Sequence, residues 1–145
     1  MSKGNVTEND LVKFYALGTA MPSYGSTWYV HLHTADPGEA GTSSTSEATY
    51  TDYARVAVSR DAAGWTICDA DGTTNASGSA FKNAAEITFP ECNASYSPST
   101  ETITHASVCS NGGQVIYKGA LTTPIVVGAL NTPRIVAGGA IFKEN

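Results

Sequence analysis

Two hydrophobic periodicities divide the chain. Between Thr7 and Gly18, Leu11, Phe14 and Tyr15, with Val12 beside them, recur at helical spacing. Thr7 is placed to cap this helix, Asp10 stands at the third helical position to answer it, and Gly18 marks the stop. Glu8 and Asp10 suit the positive end of the helix dipole. A stripe of this kind ordinarily packs on the chain's own sheet; the alternative is an arm that docks on a partner. From Trp28 the period becomes two, with Trp28, Val30 and Leu32 alternating against Tyr29, His31 and His33. That pattern predicts a strand.

Further strands are predicted over residues 53–60, 65–68, 86–89, 102–109, 114–122, 124–128 and 134–142. Asp71-Gly72, Asn111-Gly112-Gly113 and Asn131-Thr132-Pro133 punctuate them, and Asn111-Gly112 between two alternating runs predicts a hairpin. Gly138-Gly139 inside the last run predicts a bulge or a close backbone approach. Eight short strands and one helix imply an all-β fold: an antiparallel β-sandwich, jelly-roll or immunoglobulin-like, with one short N-terminal helix. A chain of 145 residues has room for one such domain, with residues 1–26 as helix and arm and 27–145 as sandwich.

The connection after the first long strand is unusual. Ala35-Asp36-Pro37-Gly38 reads as a turn, because Pro37 presets its own φ and Gly38 supplies a positive one. Residues 39–52 follow, with seven Ser or Thr among fourteen and Tyr50 as the one bulky apolar group. Such a segment buries little on its own, so it is expected to lie exposed or to become ordered against a neighbouring molecule. Its tyrosines Tyr50 and Tyr53, with Tyr24 and Tyr29, are the candidate interface residues, since aromatic side chains give large contact areas at low entropy cost. The competing reading for each is ordinary packing within the sandwich.

Charge and composition narrow the chemistry. Only 14% of residues are charged, against about a quarter in typical soluble proteins. The net charge of -5 and the scattering of the eight basic residues argue against a nucleic-acid partner. No run approaches the roughly twenty apolar residues of a membrane span, and Met1-Ser2-Lys3-Gly4-Asn5 has no apolar signal core, so no membrane association and a cytosolic site of synthesis are expected. Cys68, Cys92 and Cys109 are odd in number and lack CxxC spacing, which fits buried reduced thiols. The sequons at Asn5, Asn75 and Asn93 then carry no message.

No constellation carries catalysis. His31 and His33 share a strand face, and with His105 they form the one conceivable zinc set, but no supporting carboxylates or ligand spacing accompany them. The favoured reading places both strand histidines on a solvated or interfacial sheet face. Asp69-Ala70-Asp71-Gly72 opens like a calcium loop but lacks the third ligand and the closing Glu, which leaves a hairpin turn. There is no Gly-x-Ser-x-Gly elbow and no phosphate-binding loop. Neither a cofactor nor a metal, nor enzymatic activity, is expected.

The segment Trp28-Tyr29-Val30-His31-Leu32-His33-Thr34-Ala35-Asp36-Pro37-Gly38-Glu39, followed by Tyr53-Ala54-Arg55-Val56, resembles small structural proteins of tailed bacteriophages. The resemblance implies a virion protein assembled in the host cytoplasm. Its foremost expectation is a capsid decoration, or cement, protein that binds the major capsid protein on the outer surface of the head and stabilises the assembled shell by mass action. A tail, baseplate or fibre-attachment protein is the alternative, and a carbohydrate-binding module is a third reading. Self-association as a homodimer or trimer is expected, the dimer favoured because two-fold symmetry is commonest.

Overall fold

The computed structural model describes residues 2–143; Met1, Glu144 and Asn145, the ends of the expected domain, lie outside the described residues. The elements in order are β1 (Ser2–Lys3), α1 (Asn5–Leu17), β2 (Thr27–His33), β3 (Val56–Ser59), β4 (Trp65–Cys68), β5 (Ala80–Asn83) and β6 (Ile87–Thr88). A 3₁₀ turn (Ala94–Tyr96) precedes β7 (Thr100–Cys109), β8 (Val115–Gly128), β9 (Arg134–Ile135) and β10 (Ile141–Lys143). All strand pairs are antiparallel. They form a five-stranded sheet in the order β1-β8-β7-β2-β3, a three-stranded sheet β10-β5-β4 and the pair β6-β9. The fold is thus an all-β sandwich with one short N-terminal helix.

Alternation along β2 decides which face is core. Val30 and Leu32 are fully buried and meet Ile103, Ala106 and Val108 of β7 and Val127 of β8 in one hydrophobic cluster. Aromatic rings join the sheets: Trp28 lies 5.9 Å from both Trp65 and Phe81, and Tyr117 lies 5.1 Å from Phe81 and 6.0 Å from Phe142. A side chain such as Phe142, with no exposed surface, contributes about 1.5–3 kcal/mol by burial. The predicted hairpin joins β7 to β8: the Gly113 N–H returns to the Ser110 carbonyl, and Gly113, not Gly112, takes the positive φ of 82°.

Several elements depart from the sequence pattern. The runs 114–122 and 124–128 are one strand, β8, whose pairing with β7 shifts register between Ala120 and Ile125, so that Pro124 sits in an irregularity where no ladder N–H is required of it. The run 134–142 is two strands broken at Gly138-Gly139. There the buried Asn83 holds a turn by donating to the Ala85 and Val136 carbonyls and accepting from the Ala140 N–H. Gly139 is a close approach, since a Cβ would stand 2.9 Å from the Val136 carbonyl. β5 has no pattern to announce it, because Phe81 is its one large apolar residue.

The helix begins earlier than its cap residues suggest. Gly4 is the N-cap and makes no side-chain cap bond. Its N–H donates to the Ile116 carbonyl, and a Cβ there would fall 2.3 Å from the Val115 carbonyl, so only glycine fits. Thr7, expected to cap, is a buried helical residue whose hydroxyl donates to the Val115 carbonyl. Gly18, at φ 63°, ends the helix as predicted.

Residues 39–52 are largely exposed, as expected, but they are ordered against the chain's own sheet. A bridge between Thr42 and Gln114 fixes the segment at one side of the large sheet, and a bridge between Glu47 and His33 fixes it at the β2 edge beyond β3. The backbone bonds Ser43 to Gly113, Thr34 to Ser46 and Ala48 to Leu32 reinforce both ends. Between them the chain crosses the outer face of the sheet. The segment is therefore a strap on its own sheet, with Ala48 and Tyr50 turned into the core.

Candidate functional site

Beneath the strap lies a buried polar seam. His31 and His33, expected on a solvated or interfacial face, are 2% and 0% exposed because the strap covers them. His33 Nδ1 donates to the Thr45 carbonyl at 2.9 Å, and Nε2 meets the Ser107 hydroxyl at 2.7 Å. Ser107 in turn contacts Cys109 Sγ at 3.3 Å. His31 Nδ1 lies 2.6 Å from Glu47 Oε1, which also accepts from the Tyr53 hydroxyl at 3.1 Å. Burial lowers both histidines from their ordinary value, against the pull of the Glu47 carboxylate on His31 and the Thr45 carbonyl on His33. Ser107 and Cys109 have no exposed surface, and burial pushes the Cys109 thiol up to about 11. A nucleophile so enclosed meets no substrate; the seam is a strut that holds the strap down.

Three of the four candidate interface tyrosines belong to the interior. Tyr50 is 1% exposed, its hydroxyl donates to the Pro90 carbonyl, and burial raises it to about 12. Tyr53 receives the Leu32 N–H and donates to Glu47, bracing strap against strand. Tyr24 is buried against α1, donating to Asp10 at 2.7 Å. Tyr29 is half-buried on the outer face, under the Arg55 guanidinium at 3.8 Å. Glu101 had no distinguishing sequence context, yet it accepts from the Thr49 N–H and hydroxyl and from the Tyr50 N–H. Glutamates in β-strands facing a Ser/Thr-rich segment are the signal that was available.

The exposed surface of interest is α1 itself. Its apolar stripe, expected to pack on the sheet, stays outside: Val12 is 63% exposed, Phe14 45% and Tyr15 80%. Val6 and Leu17, outside the stripe, are 55% and 75% exposed. Thr7 is the one helical residue fully buried. The signal for this was composition: Val6, Leu11, Val12, Phe14, Tyr15, Ala16 and Leu17 are too many for one stripe. In residues 11–17 Lys13 is the one polar side chain, and a stretch that apolar is normally enclosed by other protein. The Asp69–Gly72 segment is a turn, with the Gly72 N–H on the Asp69 carbonyl, and the described residues contain no His, Cys, Asp or Glu group able to hold a metal ion. No helix is long and apolar enough to cross a membrane.

No curated protein matches the chain. A family model described as podophage GP4 fiber I protein gp80 matches residues 2–143, almost the whole of it. The match favours the tail and fibre alternative over the capsid-cement reading. The chain therefore belongs to this podophage fibre family and is a structural protein of the bacteriophage virion.

Proposed function

We propose that the protein is a fibre or tail-associated structural component, held to a neighbouring virion protein through α1. Family membership over residues 2–143 carries the first part of this reading. The helix supports the second. It is tethered at its N-terminus by Gly4 to Ile116 and Asn5 to Glu39, and through Asp10 to Tyr24, while its C-terminal half presents Phe14, Tyr15 and Leu17 to solvent. A rigidly based apolar projection suits a permanent subunit contact, because burial of such side chains on assembly is favourable and ordering costs are already met. The seam and strap serve this role by keeping the sandwich stiff without a disulfide, its three cysteines being free.

Cryo-electron microscopy of particles, with an antibody to this chain as marker, tests the reading. Density at the tail or its fibres is expected. Copies spread over the head lattice would instead restore the cement reading.

A further inference from the structure

The molecule leaves two apolar surfaces uncovered, and they lie on different elements. The first is a cleft of about 330 Å³ whose floor is Trp28 on β2, Trp65 and Ile67 on β4 and Phe81 on β5. Ile67 is 46% exposed there, and no residue of α1 lines the cleft. Arg60 and Asp61 stand on its exposed rim. Arg60 spends Nη1 on the Gly25 carbonyl and has further donors to give. Asp61 uses Oδ1 for the Ser59 hydroxyl and the Ala63 and Gly64 N–H groups, while Oδ2 accepts no hydrogen bond among the described residues. The second surface is the C-terminal end of α1. It is tethered to β8, beside the edge strand β1, whereas the cleft lies toward β2 and the opposite edge strand, β3.

The end of α1 carries a complement for each part of the cleft. Tyr15 and Leu17, 80% and 75% exposed, with Phe14 beside them, offer apolar side chains for the floor. The helix has no basic residue in its last turn, so the partial negative charge of its terminal carbonyls is open to an outside cation, which Arg60 supplies. Lys13, exposed and one turn back from Leu17, supplies the cation that the Asp61 carboxylate lacks. An unrelated apolar ligand would satisfy the floor alone and leave both rim charges unanswered. We propose that the end of α1 from a second copy of this chain docks in the Trp28–Trp65 cleft. The proposal rests on α1 as the attachment element and names the neighbour it meets. Because helix and cleft are different surfaces, the contact is heterologous: copies exchange helices in a closed pair or ring, or run on head to tail.

Light scattering of the full chain tests this, with intrinsic fluorescence as a local reading, since Trp28 and Trp65 are the chain's two tryptophans. The parent should self-associate, with an emission change that follows concentration. Ala62→Arg, which blocks the mouth from an exposed position, and Leu17→Lys, which sets a cation against Arg60, should each be monomeric with the parent's melting temperature. Mixed together they should form a pair, because each brings the surface that the other has lost; helices packed on one another by symmetry would not be restored in this way. Lys13→Glu, repelled by Asp61, should weaken association by about tenfold or more. A parent that stays monomeric at its highest soluble concentration overturns the proposal. So does a mixture that fails to pair, or association that the single variants retain. Particles separate this failure from failure of the attachment reading. If Leu17→Lys is missing from virions while Ala62→Arg is incorporated normally, α1 attaches to a different protein and docking in the cleft is overturned; if both are incorporated normally, the attachment reading falls as well.

Discussion

Neutral His33 satisfies both ring nitrogens at once, donating to the Thr45 carbonyl from Nδ1 and accepting the Ser107 hydroxyl at Nε2. Protonation would set a second N–H against an oxygen already placed to donate, at a site where His33 and Ser107 have no exposed surface. His31 and His33 therefore titrate below the ordinary 6.5, chiefly because they are buried. The unfolded chain takes up protons first as the pH falls. Stability contributed by the neutral pair is thus fully present above about pH 6.5 and lost as the pH drops through the lowered folded values. Thermal melts should show a falling melting temperature from about pH 7 to about pH 5. His33→Ala, which strands two buried partners and opens a cavity, should cost about 2–4 kcal/mol at neutral pH and flatten that dependence. An unchanged slope in this variant would place the titration elsewhere. Asp36 is not a substitute, because the Lys118 ammonium holds its carboxyl below 3.8 and its contribution is lost only in stronger acid. The thiols give a second test at this scale. Cys68, Cys92 and Cys109 are free and buried, so a thiol reagent should leave the native protein largely unmodified. All three should react after denaturation without reductant, and a smaller number would mean oxidation.

At the scale of the element, alternation of Trp28, Val30 and Leu32 against His31 and His33 correctly separated the core face of β2 from the other, and Asn111-Gly112-Gly113 placed the β7–β8 hairpin. What covers the second face was not legible. Residues 39–52 look unable to bury anything because their own side chains are small and polar, but the strap is held by groups from elsewhere: Glu101 on β7, Gln114 and Gly113 at the hairpin, and His33 on β2. Non-local hydrogen bonds leave no periodicity in the segment they order. The helix misled in the opposite direction, since its spacing implied a core face, whereas Thr7 is its one buried residue and Val12, Phe14 and Tyr15 stay exposed. Two outcomes follow for the strap. Glu101→Ala should cost about 1–2 kcal/mol and speed amide exchange in residues 47–53, with β7 and β8 left protected. Deleting residues 41–49 should not spare the fold, as a solvated connection would allow. It removes Thr45, Glu47 and Ala48 together, exposes the histidine seam, and should lower the melting temperature severely or prevent soluble expression. A deletion that melts like the intact chain would return the segment to the status of a loop.

For the whole molecule, the question is where the apolar surface that folding left outside is finally buried. The sandwich closes its own core around Leu32, Phe89, Ile103 and Phe142, so little of the exposed α1 surface is needed for stability. Replacing Val12 and Tyr15 together with Lys should therefore leave the unfolding midpoint within about 0.5 kcal/mol per site of the parent, since both side chains are mostly solvent-exposed. Assembly should respond differently. Two ammonium groups placed in a dry subunit contact lose their hydration without gaining a partner, and the variant should be missing from particles produced when it replaces the parent gene, as read by immunoblot of purified virions. Light scattering of the isolated proteins separates two origins for that loss. If the parent forms the expected dimer or trimer and the variant is monomeric, the helix joins copies of this chain; if both have the same mass, it meets a different virion protein. Normal incorporation of a folded variant would exclude α1 as the attachment element and turn attention to the other apolar exposures at Val126, Leu130 and Val136.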